Sequence, residues 1–187
     1  MSDDAPDGDD ELAWESSGTR IEYRCPGFDV RRDDVVLPDR TPTNYHYVEE
    51  GDAVVILPFC GDGEDEVVLV EEWRQPVGRV NRGLPAGGVE DGDDDLERAA
   101  ARELREETGY EADSLEHLCT TEPVNGIADS VHHTFVARGC EPTASQDLDD
   151  NESIRTVTTS YDELVAAVQD GEVRDGRAAL AVSRYEL

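Results

Sequence analysis

The feature that most constrains the fold is one short helical pattern set among runs that read as strands. Between residues 95 and 107 the apolar and small side chains fall at Leu96, Ala99, Ala100 and Leu104, a spacing that gathers them on one face of a helix, with Asp94 or Asp95 available as cap and Gly109 just past the end. Before it stand TRIEYR, FDVRRDDVVL, TNYHYVEE, AVVILPF and EVVLVEEW, rich in β-branched and aromatic residues and divided by Pro-Gly, Pro-Asp, Glu-Gly-Asp and Gly-Asp-Gly breaks. After it SLEHLCTTEP, SVHHTFVAR and SIRTVTTS predict further strands. Ser160 then caps a helix over YDELVAAVQD, and GRAALAVSRYEL predicts a last one. Many strands, one helix, more strands and two terminal helices specify a mixed sheet between helices, an α+β or α/β/α arrangement.

The opposite face of the first helix carries the chemistry. Glu103, Glu106 and Glu107 stand at i, i+3 and i+4, which places three carboxylates side by side on the helix surface. Like charges so placed repel, and a cation relieves them; hard oxygen donors select Mg²⁺ or Mn²⁺ over zinc. Three glutamates alone are more often a solvated face, especially in this chain. It has 187 residues and a formal net charge of -30, with 46 acidic side chains against 16 basic ones, every one of them Arg. The acids are spread along the chain, a composition like that of proteins from salt-in halophiles, where counterions screen self-repulsion. There is no basic stripe for nucleic acid, no run apolar enough to span a membrane and no basic-apolar leader at the start, so a soluble cytoplasmic protein is expected. Cys25, Cys60, Cys119 and Cys140 show no metal spacing and are expected as reduced thiols.

What separates the glutamates from a plain acidic face is the segment around them, GGVEDGDDDLERAAARELREETGY. It resembles the Nudix box: Gly88, Asp94, Arg102, Glu103, Leu104, Glu106, Glu107, Gly109 and Tyr110 fill the family's positions. The leading acid is Asp instead of Glu, and the family's Gly-Gly pair shifts the spaced glycine to Gly87. The resemblance implies a Nudix fold with a mixed sheet between helices and an extra N-terminal antiparallel sheet. The implied chemistry is Mg²⁺-dependent hydrolysis of the diphosphate of a nucleoside diphosphate derivative. Glu103, Glu106 and Glu107 are the implied metal ligands, joined by the backbone carbonyl of Ala86, and Arg102 is implied to hold a loop carboxylate, Glu90 or Asp94.

The flanks narrow the resemblance to the ADP-ribose pyrophosphatase branch. VVLVEEWRQPVGRVNRGLPAGG resembles the strand, turn and strand that lead into the box, which implies that Arg74, and more weakly Arg79, contact the substrate beside Gly88. EPVNGIADSVHHTFVAR occupies the region of a Ser-Pro-Gly turn, here with Asn125 and Gly126, which either serve the turn alone or shape the substrate site. His132 and His133 alternate on a strand and are expected in packing or solvent. In DLDDNESIRTV, Glu152 matches an additional carboxylate, metal ligand or general base, with Asp150 in reserve.

The division that follows is a disordered acidic tail over residues 1–11, N-terminal strands over 12–52 that build a homodimer, and a hydrolase domain over 53–187. ADP-ribose, giving AMP and ribose 5-phosphate, is the first expectation. Other nucleoside diphosphate sugars, oxidised nucleotides and a non-catalytic ligand-sensing domain are the alternatives.

Overall fold

The computed structural model describes residues 10–61, 63–90, 92–93, 95–149 and 152–187. The greater part of the acidic tail, together with Asp94 and Asp150, therefore lies outside the described residues. The chain falls into two compact units, one of residues up to 51 together with 124–130, the other of residues 52–123 and 131–187.

In the first unit β1 (Glu15–Arg24), β2 (Asp29–Val36) and β3 (Pro42–Glu49) form a three-stranded antiparallel sheet in the order β1-β2-β3. Ion pairs lace its surface: Arg20 meets Glu22 and Asp34, Arg32 meets Asp34, and Arg24 meets Asp29. Trp14 stands edge-on to Tyr45, ring centroids 5.7 Å apart. Residues 124–130 join this unit as a turn in which Ile127 N–H donates to the Val124 carbonyl at 2.7 Å, and Ala128 bridges to Val48.

The second unit is an eight-stranded mixed sheet. Its path runs β11-β5-β4-β10-β8, with β6 added to β5, β7 to β4 and β9 to β10. The strands are β4 (Ala53–Cys60), β5 (Glu66–Arg74), β6 (Arg79–Gly83), β7 (Ala86–Gly88), β8 (Tyr110–Glu111), β9 (Ser114–Thr121), β10 (His132–Pro142) and β11 (Ile154–Ser160). The β4–β10 pairing is parallel and the others are antiparallel. Strand β4 is buried on both faces, which is why its sequence is a continuous apolar run. Period two then divides it: Val55, Leu57 and Phe59 enter a cluster with Tyr161, Leu164, Ala178, Ala181 and Val182, while Val54 and Ile56 pack with Ala99, Ala100, Leu104 and Phe135. The first face is covered by α2 (Tyr161–Gln169) and α3 (Gly176–Tyr185), the second by α1 (Leu96–Thr108), so the sheet is sandwiched between helices. His133 sits at the rim of the α1 side in a chain of bonds through Thr120 to His117, and His132 opens β10 opposite Ala53.

Candidate active site

The site is built on α1. Asp95 caps it, its carboxylate accepting the Arg98 N–H at 2.8 Å, and Gly109 ends it with φ 76° and an N–H bonded to the Arg105 carbonyl at 2.8 Å. Ala99, Ala100 and Leu104 are fully buried against the sheet. That anchored face fixes the direction in which the glutamates point. Glu103 and Glu107 are buried as well, at 9% and 4% exposure, so they are not a solvated surface stripe.

Arg102 organises the approach to them. Its guanidinium donates to both carboxylate oxygens of Asp93, at 3.2 and 3.0 Å, to Glu103 Oε1 at 2.7 Å, to Glu106 Oε2 at 3.0 Å and to the Gly88 carbonyl at 2.8 Å. The loop carboxylate it grips is thus Asp93, with Glu90 farther away at 3.8 Å. Asp93 also accepts the Glu90 N–H, and the Arg102 contact holds its carboxyl below the usual range. One planar cation thereby ties the glycine-rich loop to two of the three helix acids.

Glu107 is held by backbone instead, its Oε2 accepting the Ala86 N–H at 2.9 Å. Burial pushes its carboxyl up to about 8, against the pull of that N–H, and the charges of Glu103 and Glu152 add to the rise. Glu103 is raised for the same first reason, burial, with Arg102 opposing.

A second element completes the pocket. The loop after β10 is tied to the end of α1, with Thr143 and Ala144 N–H donating to the Gly109 carbonyl and Asp147 N–H to the Glu106 carbonyl at 2.9 Å. It brings Asp147, Asp149 and Glu152 to a cavity of about 320 Å³ shared with Gly87, Gly88, Glu90, Arg102, Glu103, Glu106 and Glu107. Glu152 is steadied there, accepting the Asp149 N–H at 3.1 Å and donating its own N–H to the Asp149 carbonyl.

The residues singled out in the sequence distribute as follows. Glu103, Glu106, Glu107, Arg102, Gly88 and Glu152 meet in the cavity; Ala86 lies beside it through Glu107 and does not line it. Arg74 and Arg79 are paired across the β5–β6 hairpin, Arg74 bound to Glu72 at 2.7 Å. Asn125 and Gly126 belong to the first unit, where the Gly126 carbonyl accepts the Tyr45 hydroxyl at 2.7 Å. Asp93, Asp147 and Asp149 carry no distinguishing sequence signal. Acidity marks none of them in a chain where about one residue in four is acidic, and only their proximity to Arg102 and α1 sets them apart.

Among the described residues no three His, Cys, Asp or Glu side chains form a ready-made metal cage. The donor set nevertheless fits a hard divalent cation: every candidate side-chain ligand is a carboxylate, two of them are buried, and their mutual repulsion is balanced only in part by Arg102, which spans Glu103 and Glu106. Among the described residues no helix is long and apolar enough to cross a membrane.

Residues 49–180 match the model of the NUDIX domain family. A methanol dehydrogenase activator of Bacillus methanolicus is 31% identical over 156 residues, covering 83% of either chain. An ADP-ribose pyrophosphatase of Bacillus subtilis is 29% identical over 160 residues and 85% of either chain, and a GDP-mannose pyrophosphatase of Yersinia enterocolitica is 32% identical over 133 residues, 65% of this chain and 66% of that one. The fold matches a crystal structure of an ADP compounds hydrolase with a TM-score of 0.79 over 92% of both chains at 21% identity. With its box helix, glycine loop and sandwiched sheet, the chain belongs to the Nudix family, as a hydrolase of pyrophosphate bonds.

Proposed function

We propose that this Nudix hydrolase is a Mg²⁺-dependent pyrophosphatase of nucleoside diphosphate derivatives, with Mn²⁺ able to replace Mg²⁺, and that ADP-ribose is cleaved to AMP and ribose 5-phosphate. The observation that carries the reading is the convergence of seven carboxylates, Glu103, Glu106 and Glu107 from α1, Asp147, Asp149 and Glu152 from the loop after β10 and Glu90 from the glycine loop, on one cavity beside a glycine pair. The similarity to an ADP-ribose pyrophosphatase supports the substrate, and that to a GDP-mannose pyrophosphatase keeps other sugar nucleotides as the second reading.

Glu103, Glu106 and Glu107, with the Ala86 carbonyl and Glu152, would hold the metal, whose charge when bound polarises the diphosphate and offsets the negative charge that develops in transfer to water. Glu152 positions the attacking water and accepts its proton. Arg102 keeps the glycine loop and Glu106 in register during this step, while Arg74 and Arg79 bind phosphate oxygens and Gly88 presents backbone to the substrate. We further propose a homodimer built by the N-terminal strands of residues 12–52, acting in the cytoplasm of a cell with concentrated internal salt. A non-catalytic sensing role is disfavoured by the full set of box acids.

The experiment is turnover of a diphosphate panel in high KCl with Mg²⁺, products identified by chromatography. AMP from ADP-ribose, abolished in Glu107→Gln, is the expected result; a folded protein that turns over none of the panel would refute the reading.

A further inference from the structure

Two histidine rings of the second unit aim at one atom. His117 on β9 brings Nε2 to 2.9 Å from the Thr120 hydroxyl, and His133 on β10 brings Nδ1 to 3.0 Å from the same oxygen. Three residues apart, His117 and Thr120 would lie on opposite faces of a regular strand. The register shows why they do not: Thr120 stands opposite His133 and His117 opposite Phe135, with one extra residue on β9 at the irregularity between Thr134 and Phe135. Such a bulge re-aims a side chain, and here it puts His117 on the same face as Thr120 and His133. His117 is also set edge-on against Phe135, ring centroids 5.5 Å apart, and the two imidazoles lie 6.4 Å apart with planes inclined at 50°.

Asp52 completes the array. Its carboxylate lies 3.5 Å from His133 Nε2, which favours the tautomer with the proton on Nε2 and leaves Nδ1 with its lone pair towards Thr120. A carboxylate behind a ring whose other nitrogen faces a shared point is the arrangement that orients metal-binding histidines. The His133 side chain is 14% exposed and so held in place, whereas His117 and Thr120 are exposed and leave the point open to an ion from solution. An imidazole–metal bond is about 2.0–2.1 Å long, so each ring needs to advance only about 1 Å along its present hydrogen bond. Two nitrogens and one hydroxyl fall short of a closed cage, and water fills the other positions. Imidazole suits Zn²⁺ and Cu²⁺, unlike the oxygen donors of Glu103, Glu106 and Glu107, which suit Mg²⁺.

The geometry points to a second cation site: His117 Nε2 and His133 Nδ1 bind a divalent transition-metal ion, Zn²⁺ or Cu²⁺, beside the Thr120 hydroxyl, with Asp52 as a positioning residue for His133. The inference is independent of the diphosphate reading. Neutral His117 then carries its proton on Nδ1, and no charge on the protein has to change. The ion clasps β9 to β10 and steadies Asp52, whose carbonyl accepts the N–H of Val89, a residue lining the acid cavity, at 2.9 Å.

The test uses Cu²⁺ as probe on the full chain, in high KCl with excess Mg²⁺, and pulsed electron paramagnetic resonance, in which the remote nitrogen of a coordinated imidazole modulates the signal and a carboxylate does not. Less than one equivalent of Cu²⁺ is expected to show two imidazoles in the unaltered protein and at most one in His117→Gln, which keeps an amide able to bond Thr120 and leaves turnover in Mg²⁺ unchanged. Zn²⁺ affinity, measured by competition with a chromophoric chelator, falls by about tenfold or more in that variant. His46→Gln, altered at a histidine paired with Glu22 in the first unit, behaves as the unaltered protein does. Fewer than two imidazoles on Cu²⁺ in the unaltered protein overturns the proposal, as does a Zn²⁺ affinity that His117→Gln leaves unchanged or a two-imidazole signal that survives in folded His133→Gln.

Discussion

The carboxylate of Glu103 lies directly on the α-carbon of Gly87. A Cβ at that position would overlap all three atoms of the carboxyl group, whereas at Gly88 a Cβ would meet nothing within 4 Å. The two glycines of the pair thus have different tasks. Gly87 admits a ligand side chain, and Gly88 offers its carbonyl to Arg102.

Gly87→Ala is therefore predicted to displace Glu103 and cut kcat/KM at least 100-fold, and Gly88→Ala to cost less than tenfold. Glu103 cannot retreat cheaply, being buried on α1 with Arg102 bound to it. Mn²⁺ binding followed by electron paramagnetic resonance separates the two: weaker binding in Gly87→Ala alone is expected, and equal effects in both would refute the assignment of roles.

The contrast shows what the sequence conceals. The apolar run of β4 and the apolar stripe of α1 are visible along the chain because each is local, and the sheet between helices follows from them. Strand β7 spans three residues, two of them glycine, and β8 only two, too short for any period to register. The glutamates at i, i+3 and i+4 are legible as one face. Asp93 as the partner of Arg102, and Asp147 and Asp149 in the cavity, are not, because loop conformation places them: Asp93 meets Arg102 from the loop before α1, and the loop after β10 is carried to the cavity by the bond of Asp147 N–H to the distant Glu106 carbonyl.

Arg102 is the only cation among the described residues lining the cavity, and it bonds to three carboxylates. Arg102→Met is predicted to leave Asp93, Glu103 and Glu106 without this partner. Its side chain is 21% exposed, so the loss is placed at roughly 1–3 kcal/mol rather than the larger value of a fully buried pair. Divalent cation replaces part of the missing charge. Urea unfolding with EDTA and with excess Mn²⁺ over protein checks this, and a variant as stable as wild type in EDTA would contradict it.

Glu107 contributes to the pH dependence of the metal-free protein. Its folded carboxyl is raised to about 8, so between the ordinary carboxylate range and pH 8 the folded state holds a proton that the unfolded state has released. The stabilisation is complete below the unfolded value and is lost as pH rises, by at most about 1.4 kcal/mol per pH unit. Glu107→Gln retains an acceptor for the Ala86 N–H and has no proton to lose. The difference in unfolding free energy between variant and wild type, measured in EDTA from pH 5 to 8, should grow with pH in favour of Gln, although the variant is expected to be inactive. A difference that stays flat would show that Glu107 is not desolvated.

The thiols offer a check on packing away from the site. Cys140 is 2% exposed in the cluster beneath α1, and burial pushes its thiol up to about 12; Cys60, its register partner on β4, is raised for the same reason. Thiolate is the reactive form, so at pH 8 neither reacts readily with an aromatic disulfide reagent. Cys25 lies in the short connection between β1 and β2, partly exposed, its Sγ donating to the Phe28 carbonyl at 3.2 Å. Native protein is therefore predicted to release about one equivalent of thiolate reporter quickly, with the label on Cys25 by peptide mass spectrometry, and Cys140 to be labelled only as fast as the second unit unfolds. Because Cys140 packs in the same apolar cluster as Ala99, Ala100 and Leu104, its labelling rate also reads the docking of α1 on the sheet. If added Mg²⁺ slows that rate without changing Cys25, cation binding at the glutamate face is coupled to the packed face of the same helix; labelling of Cys140 as fast as Cys25 would mean that α1 is not held as described.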